Sequence, residues 1–432
     1  MGSLTQGTKL RVAVIGAGVA GIATAWELTA DGHTVSVFDK TGGIAEGASF
    51  ASPGWVGMAG LTGWDSVSPT WPKVGPAGLT TSASWWGRSG ARRWLSAMKQ
   101  HSTPPHQAAL FATSLDLATL SADRLRQTLS QPGVDVERSQ GVMVLMRSDA
   151  DAAPYAAGLQ RLRDREVKVV ELDPAGAKKL EPGLSDDTVP VARWWLPEDE
   201  IINGRQWLSL LKTDAMRRGC VFQMNTSVIS LHAGGRLTLQ TGSQPCQERV
   251  FDAVVVCAGH QGAALLADVG LTLPLLNMNQ CVLSAPIRDP HFAPVSGVFD
   301  ARHRISITRT GQRIRASSAT GIWPGQDAEP VFKQLYQVLN DWFPGSASLH
   351  GVQSCAQAWQ TTCAFTPDSL PLVGASGLSK IWLNLGFGAK GWTHAPGAAR
   401  LMANLLKGGP ASEQMTGLAP SRFASSRSSS AV

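Results

Sequence analysis

The fold is decided near the N-terminus, where residues 10–40 read LRVAVIGAGVAGIATAWELTADGHTVSVFDK. The apolar run at residues 10–15 predicts a strand, and residues 19–30 predict a helix. The Asp31-Gly32 pair then predicts a turn, and residues 33–38 predict a second strand. Together these segments predict a strand-helix-strand unit, which is the opening of an α/β fold.

Three glycines, Gly16, Gly18 and Gly21, connect the first strand to the helix. Gly16 permits the tight turn, Gly18 lets backbone amides approach a pyrophosphate, and Gly21 lets the helix pack closely on the strand. Asp39 follows the second strand, 18 positions beyond Gly21, where a carboxylate accepts hydrogen bonds from ribose hydroxyls. Because a helix N-terminus also attracts phosphate charge, this spacing predicts a dinucleotide-binding site.

Length and composition set the limits of the interpretation. At about 150 residues per domain, 432 residues predict two or three domains, which excludes a small disulfide scaffold. The chain is 43% hydrophobic and 16% charged, so global disorder is excluded. The balance of 38 basic against 32 acidic residues gives a formal charge of +6, too small for a dedicated nucleic-acid binder.

The six cysteines form no CxxC pair and no cluster at zinc spacing, so we expect no metal site and reduced thiols in a cytosol-facing protein. The first apolar run passes directly into glycines, so no signal peptide is expected. Residues 253–276 are interrupted by polar residues and a proline, so they do not predict a membrane span. We therefore expect a cytoplasmic protein, soluble or peripheral at the inner face of the membrane.

The rest of the chain alternates between helical and strand patterns. Residues 42–95 are rich in Gly, Pro, Ser and Trp and predict long ordered loops, while the Ser-rich residues 421–432 predict a flexible tail. Residues 304–316 predict a hairpin that turns at Thr310-Gly311. The other predicted helices are residues 106–130, 156–165, 204–218 and 393–406, and the other predicted strands are residues 141–146, 221–225, 236–240, 249–257 and 381–385.

Two later segments favour FAD over a nicotinamide cofactor. They are the β-like run VVVCAG at residues 254–259 and the glycine-rich stretch GFGAKGWT at residues 386–393. A nicotinamide enzyme usually builds its nucleotide site from one contiguous half, whereas this chain returns to the nucleotide fold in its middle and at its end. A glycine loop before a terminal helix can bring amides and a helix dipole to the electron-rich edge of a flavin.

At this level of detail the sequence resembles the FAD-dependent glycine/D-amino-acid oxidase superfamily, and most closely its bacterial D-amino-acid dehydrogenase small-subunit branch. The resemblance extends over nearly the whole chain. It is carried by residues 12–39, 49–54, 197–203, 225–228, 254–259, 305–315, 366–368, 372–374 and 382–393.

The resemblance implies an α/β fold, α+β overall, with a discontinuous Rossmann-like FAD-binding domain and a mixed-sheet substrate domain. The FAD-binding domain would comprise residues 1–84, 204–273 and 352–420, and the substrate domain residues 85–203 and 274–351. Ser49 would lie near the pyrophosphate and Val228 would hold the adenine through its backbone. The remaining cofactor-binding residues would be Gly259, Gly386, Gly388, Gly391, Trp392 and Thr393.

The resemblance also implies a reaction, the oxidative deamination of an amino acid, with D-amino acids as the expected substrates. Hydride leaves the carbon that bears the amine, and the imine hydrolyses to a keto acid and ammonia. This chemistry needs a neutral amine, a C–H bond aimed at the flavin and a substrate carboxylate held by a bidentate Arg. A quinone or another carrier would take the electrons.

The sequence departs from the family on the substrate side. Where the family has an Arg-Pro pair before the Thr-Pro-Asp motif, this chain has Cys363-Ala364. Phe387 replaces the family's His in the terminal glycine loop, and Ser52 replaces an early Asn. The usual carboxylate-binding Arg is therefore missing, although the flavin-binding motifs are complete.

Several interpretations of this departure stay open. Arg302, Arg304, Arg313 or Arg315 could replace the missing Arg, with Arg313 and Arg315 on one strand face; Arg315 is the candidate we select, together with Phe387 and Lys390. Alternatively the substrate is a secondary amine, an imino acid or a larger amine without an α-carboxylate. Cys363 could attach the flavin or be a plain buried thiol, and Lys390 and His394 are expected beside the flavin ring.

The sequence is also compatible with other functions. Turnover with oxygen would make the protein an oxidase. A flavin-binding subunit that relays electrons within a larger complex is the alternative from a different class. Action on modified tRNA is disfavoured because no basic stripe or tail is present.

Overall fold

The computed structural model describes residues 8–58, 89–101, 103–131, 134–188, 190–318, 325, 327–347, 356–409 and 416–423. Two larger sheets and one small sheet organise these residues, and helices cover the outer faces of the larger sheets. The fold is the mixed α/β arrangement expected from the sequence. Four of the six tryptophans in residues 42–95 lie outside the described residues.

The N-terminal unit has the predicted form. Strand β1 (Arg11–Ile15) is buried at every position after the first, and helix α1 (Val19–Ala30) begins where the glycine turn ends. Helix α1 is buried along almost its entire length because the first sheet and other helices enclose it. Strand β2 (Thr34–Phe38) then returns parallel to β1. A helix buried in this way has apolar or small residues on all sides.

The first sheet draws strands from the beginning, middle and end of the chain. Its order is β17-β18-β11-β1-β2-β7, and all pairs are parallel except β17 with β18. The later strands are β7 (Val221–Gln223), β11 (Ala253–Val256), β17 (Leu372–Ala375) and β18 (Ile381–Leu385). This discontinuous assembly is the Rossmann-like arrangement that the sequence predicted.

A small antiparallel sheet lies beside it, with β8 (Thr226–His232), β9 (Arg236–Thr241) and β10 (Gln247–Val250). The prediction of one strand over residues 249–257 was wrong. That segment is split between β10 and β11, which belong to different sheets. The break falls at Asp252, whose carboxylate accepts a hydrogen bond of 2.8 Å from the backbone N–H of Arg11.

The second large sheet is mixed and has the order β16-β12-β15-β14-β13-β4-β6-β3, with β5 paired to β6. Most of its pairs are antiparallel, and β13 with β4 is parallel. The hairpin of β14 and β15 is the one predicted for residues 304–316. The strands are β3 (Trp55–Val56), β4 (Arg138–Met146), β5 (Val170–Glu171), β6 (Ala192–Ile202), β12 (Leu276–Pro286), β13 (Gly297–Asp300), β14 (Ile305–Thr310), β15 (Arg313–Ser318) and β16 (Gln357–Phe365).

The two faces of this sheet differ in character. One face packs helix α9 (Glu329–Trp342) through an apolar core that includes Leu283, Ile307, Ile314 and Trp342. Because side chains alternate along a strand, the neighbouring positions face the other way. On β12, β14 and β15 that second face carries polar side chains, whereas on β4 and β13 it is apolar, with Val144 and Phe299.

The other helices complete the outer layers. Helix α10 packs against both α1 and α4, and α7 packs against α1. The predictions for residues 106–130 and 204–218 are confirmed by α4 and α7. The predicted helix at residues 156–165 begins earlier than expected, at Asp149, because Ser148 and Asp151 form a capping box. These helices are α2 (Ala48–Ala51), α3 (Ser89–Gln100), α4 (Pro104–Leu129), α5 (Asp149–Asp164), α6 (Pro174–Leu180), α7 (Gly204–Arg217), α8 (Gly262–Ala267) and α10 (Gly391–Leu406).

The domain boundaries proposed from the sequence stay a prediction. Two strands, β3 and β16, belong to the second sheet although both fall within the ranges assigned to the FAD-binding domain. The predicted tail is anchored at its start, because the guanidinium of Arg422 donates to the carboxylate of Asp368 at 2.7 Å. Residues 424–432 lie outside the described residues.

Candidate functional site

The turn between β1 and α1 brings backbone segments closer together than any side chain would allow. Gly16 has a φ of +108°, and a Cβ atom there would lie 2.6 Å from the carbonyl oxygen of Cys257. A Cβ atom on Gly21 would lie 1.8 Å from the carbonyl oxygen of Gly16. The turn therefore requires glycine at both positions, which leaves an open backbone cradle at the N-terminus of α1.

Asp39 closes this cradle from the end of β2. One carboxylate oxygen accepts the N–H of Ala17 at 2.6 Å, and the other accepts both the N–H and the hydroxyl of Thr41 at 2.9 and 2.6 Å. The sequence predicted ribose hydroxyls as partners and missed these protein donors. A carboxylate has about four acceptor positions, so Asp39 can hold the turn and still accept from a ligand.

Ser49 lies over the start of α1. Its hydroxyl oxygen accepts the N–H of Val19 at 2.9 Å, and its carbonyl oxygen accepts the indole N–H of Trp392 at 3.2 Å. A Cβ atom on Gly18 would lie 3.1 Å from the Ser49 hydroxyl oxygen. The segment around Ser49 therefore connects the first helix turn to the C-terminal glycine loop.

The C-terminal glycine loop reaches the same place from β18. Gly386 and Gly388 have φ values of +83° and +54°, and the N–H of Gly388 donates to Ala364 at 2.9 Å. Helix α10 begins at Gly391, two residues before Thr393. The N-termini of α1 and α10 therefore both open on one cavity, where their dipoles favour negative charge.

This cavity has a volume of about 570 Å³ and extends between the two large sheets. Gly21 lies beneath it, packed against the backbone of Gly16, and Arg315 lies outside its lining. All the other residues predicted from the sequence to bind cofactor or take part in chemistry line it. They are Gly16, Gly18, Asp39, Ser49, Val228, Gly259, Gly386, Phe387, Gly388, Lys390, Gly391, Trp392 and Thr393.

The second sheet supplies a polar wall that the sequence did not predict. Gln280, Ser306 and Ser317 line the cavity from β12, β14 and β15. The Ser317 hydroxyl is buried, and it has no hydrogen-bond partner among the residues that the structure describes. The signal in the sequence was the presence of polar residues within these three strands, and the register of the sheet was needed to interpret it.

Cys363 faces Gln280 across this wall. Its thiol donates to the Gln280 side-chain oxygen at 3.2 Å, and burial raises the pKa of Cys363 to about 12. The side chain is therefore a neutral thiol, which is a weaker nucleophile than a thiolate. Attachment of a flavin at Cys363 stays a prediction.

His394 belongs to the core and does not line the cavity. Its Nε2 atom lies 3.0 Å from the hydroxyl of Ser114, and its Nδ1 atom is buried with no partner in the described part of the chain. Burial, aided by the charge of Lys390, lowers the pKa of His394 well below 6.5. A neutral imidazole therefore connects α10 to α4.

The four arginines considered for carboxylate binding occupy different environments. Arg302 forms an ion pair with Asp151 at 3.0 Å, and Arg304 is half-buried. Arg313 and Arg315 share a strand face, as predicted, but they line a second cavity of about 340 Å³. Its wall shares Ser49, Ser52 and Trp392 with the first cavity, so the segment around Ser49 separates the two.

The described residues contain neither a metal-binding cluster nor a helix that could span a membrane. Within those residues, no three His, Cys, Asp or Glu side chains come together in a way that could hold a metal ion. Every helix that the structure describes is too short or too polar to cross a membrane.

Comparison with known proteins agrees with this geometry. A family model described as FAD dependent oxidoreductase matches residues 11–405. The D-amino acid dehydrogenase of Rhizorhabdus wittichii is 30% identical over 408 residues, which cover 92% of this chain and 96% of that protein. The D-amino acid dehydrogenase of Cereibacter sphaeroides is 32% identical over 410 residues, covering 92% of each chain.

A solved structure shares the fold. The glycine oxidase of Geobacillus kaustophilus superposes with a TM-score of 0.72 at 19% identity, covering 96% of this chain and 99% of that chain. The match to the family model spans both large sheets and every segment of the first cavity. This chain belongs to the family of FAD-dependent oxidoreductases.

Proposed function

We propose that this protein is a FAD-dependent amino-acid dehydrogenase with D-amino acids as its substrate class. It would oxidise the C–N bond and produce an imine that water hydrolyses to a keto acid and ammonia. The names of its relatives support the substrate class. The observation that carries the proposal is the single cavity that joins the glycine cradle at Gly16 to the glycine loop at Gly388, with a polar wall opposite.

The residues of the cavity fit FAD. The cradle at Gly16 and Gly18 and the N-terminus of α1 would hold the pyrophosphate, because glycine leaves the amides accessible there. Asp39 would accept from the ribose, and Ser49, Val228 and Gly259 would complete the nucleotide half. The flavin half would be lined by Gly386, Phe387, Gly388, Lys390, Gly391, Trp392 and Thr393.

The side chains near the flavin end of the cavity would stabilise charge and exclude water. When bound, FAD takes up a hydride from the substrate carbon that carries the nitrogen. Lys390 and the N-terminus of α10 stabilise negative charge at this end of the cavity. Phe387 supplies an apolar wall that excludes water.

The substrate would be oriented from the second sheet. The Cys363 thiol holds the oxygen of the Gln280 amide, so the two N–H donors of that amide are available to the substrate. Ser306 and Ser317 line the same wall and add to its polar character. Positioning by such neutral groups aligns the C–H bond, which is the main requirement of hydride transfer.

A second substrate class is favoured by one observation. In the described part of the chain, no arginine lines the first cavity. A secondary amine without an α-carboxylate would need no such residue. Its product would be the corresponding imine or iminium, which water hydrolyses.

We also propose an electron acceptor and a cellular location for this protein. A quinone or another carrier would accept the electrons, in the cytoplasm or at the inner face of the membrane. Turnover with oxygen and release of peroxide would instead identify an oxidase. Bound FAD that no small amine reduces, together with a co-purifying chain, would favour an electron-relay subunit.

An anaerobic reduction screen tests the proposal. Purified protein with bound FAD is mixed with D-amino acids, L-amino acids and secondary amines, and the flavin absorbance band is followed. We expect D-amino acids to bleach the band. Bleaching by secondary amines alone would select the second substrate class, and protein that cannot bind FAD would overturn the proposal.

A further inference from the structure

The wall of the second cavity contains a guanidinium group that no carboxylate of the described residues neutralises. Arg315 is half-buried in its wall, and its Nη1 atom donates to the carbonyl oxygens of Phe50 and Ser52, both at 2.8 Å. Its Nε atom is buried, and no described residue accepts a hydrogen bond from it. No carboxylate of the described residues lies within ion-pair distance of this guanidinium. A buried charge without a counter-charge is costly to the fold.

The surroundings of Arg315 increase this positive potential. Arg313 lies two residues away on the same strand face, and its guanidinium donates to the side chain and carbonyl of Ser284 at 2.9 and 3.0 Å. Burial, together with the charge of Arg313, lowers the pKa of Arg315 to about 10. The exposed Arg205 lies at the first turn of α7, whose N-terminus also lines the cavity.

Aromatic rings hold the Arg315 guanidinium in place. Its central carbon lies 5.3 Å from the ring centre of Phe50 and 5.9 Å from that of Trp359. The two rings are themselves stacked, with centres 5.5 Å apart. A guanidinium fixed in this way is pre-organised to bind a planar anion.

We propose that the second cavity binds a small carboxylate at Arg315. The carboxylate would supply the missing counter-charge, with Arg313 and Arg205 adding attraction. Carboxylate is the chemistry that a planar guanidinium recognises best at short range. The ligand could be a free carboxylate or the distal carboxylate of an acidic substrate, since only the segment around Ser49 separates this cavity from the first one.

Binding at Arg315 would also affect the first cavity. Arg315 holds the carbonyls of Phe50 and Ser52, and the adjacent Ser49 accepts from Val19 at the start of α1. A ligand that shifts Arg315 therefore acts on the segment that lies over the glycine cradle. Because the anion site itself does not depend on FAD, its test is separate from the test of the proposed function.

Calorimetric titration of the purified protein with malonate, carried out whether or not FAD is bound, tests the site. We expect saturable binding of one malonate per chain, and sodium chloride at the same ionic strength should not reproduce it. Arg315→Gln should weaken binding at least about tenfold, which corresponds to about 1.4 kcal/mol. Arg205→Gln should weaken it about threefold, because Arg205 is exposed and its charge is screened. The matched control is Arg163→Gln, an exposed arginine of α5 that lines neither cavity.

The outcomes separate the alternatives. Loss of malonate binding on addition of saturating D-glutamate but not of D-alanine would identify the site with the distal carboxylate of an acidic substrate, and unchanged binding with both would identify a free carboxylate. If Arg315→Gln does not fold, the malonate affinities of Arg205→Gln and Arg163→Gln are compared instead, and this comparison tests the proposal. Equal affinity in those two variants, or no saturable binding to the original protein, would overturn the proposal.

Discussion

The carbonyl oxygen of Gly16 lies 1.8 Å from the position that a Cβ atom on Gly21 would occupy. Gly21→Ala would therefore force β1 and α1 apart, since the contacting atom belongs to the backbone and cannot rotate away. We expect a loss of about 3 kcal/mol in the free energy of unfolding, the upper part of the range for overpacking. Urea unfolding measures this loss, and the ratio of flavin to protein absorbance measures the loss of FAD.

The matched control for this change is Gly32→Ala. Gly32 has a φ of +87°, but a Cβ atom there would meet nothing within 4 Å. The expected cost is about 1–2 kcal/mol from backbone strain alone, with FAD content unchanged. Equal FAD loss in both variants would contradict the assignment of the Gly16–Gly21 contact to the cofactor site.

Gly18→Val tests where the pyrophosphate lies. A Cβ atom at this position would be 3.1 Å from the Ser49 hydroxyl oxygen, and the two methyl groups of valine would extend into the cradle. We expect the variant to purify without the yellow colour of FAD. The double variant Gly18→Val with Ser49→Ala relieves the contact with Ser49 but leaves the cradle blocked. A double variant that regains FAD would show that the pyrophosphate lies elsewhere.

The N-terminal unit could be predicted because its signals are local. The glycine turn, the apolar strands and the Asp31-Gly32 turn are adjacent in the sequence, and the observed β1, α1 and β2 agree with the prediction within one residue. The C-terminal strand β18 was also predicted, since it is short, apolar and followed by glycine. In each case neighbouring residues alone determine the local structure.

The polar wall could not be predicted for the opposite reason. Strand β12 reads LNMNQCVLSAP, and its polar residues obscure the alternation by which strands are recognised. The role of Gln280 can be recognised only once β12 pairs with β16, because this pairing brings Cys363, diagonal to Gln280 on the neighbouring strand, within hydrogen-bond distance of it. Because residues i and i+2 of a strand point to the same face, the sequence predicted that Arg313 and Arg315 share one face. Which cavity they line depends on the segment around Ser49, which is more than 260 residues away in the sequence.

Gln280→Leu tests the substrate side. Leucine is close in size to glutamine but removes both N–H donors of the amide, so a polar substrate loses a contact. We expect KM for the best substrate to rise about tenfold with a smaller change in kcat, as for the loss of a ground-state contact. The control is Asn279→Leu, the neighbouring amide on β12, which bonds to Gln360 and does not line the cavity. The same rise in both variants would remove Gln280 from the proposed mechanism.

The stability of the protein should depend on pH through His394. Burial, with the charge of Lys390 adding to it, lowers the pKa of His394 well below 6.5 in the folded protein, whereas the unfolded chain takes up a proton near pH 6.5. The unfolded state therefore binds more protons below pH 6.5, and the stabilisation present above that pH is lost as the pH falls. The slope contributed by one such group is at most about 1.4 kcal/mol per pH unit.

His394→Gln isolates this contribution. Glutamine can place an N–H near the Nε2 position and so keep the contact with the Ser114 hydroxyl, but it does not titrate. We expect the variant to be less stable than the original protein at pH 7 and to lose less stability between pH 6.5 and pH 5, because the group that takes up the proton is gone. Urea unfolding across that pH range measures both slopes, and taking their difference cancels the contribution of the partly buried His33, whose pKa burial also lowers. Parallel slopes in the two proteins would mean that His394 is not the neutral, buried link between α10 and α4 that the hydrogen bond to Ser114 indicates.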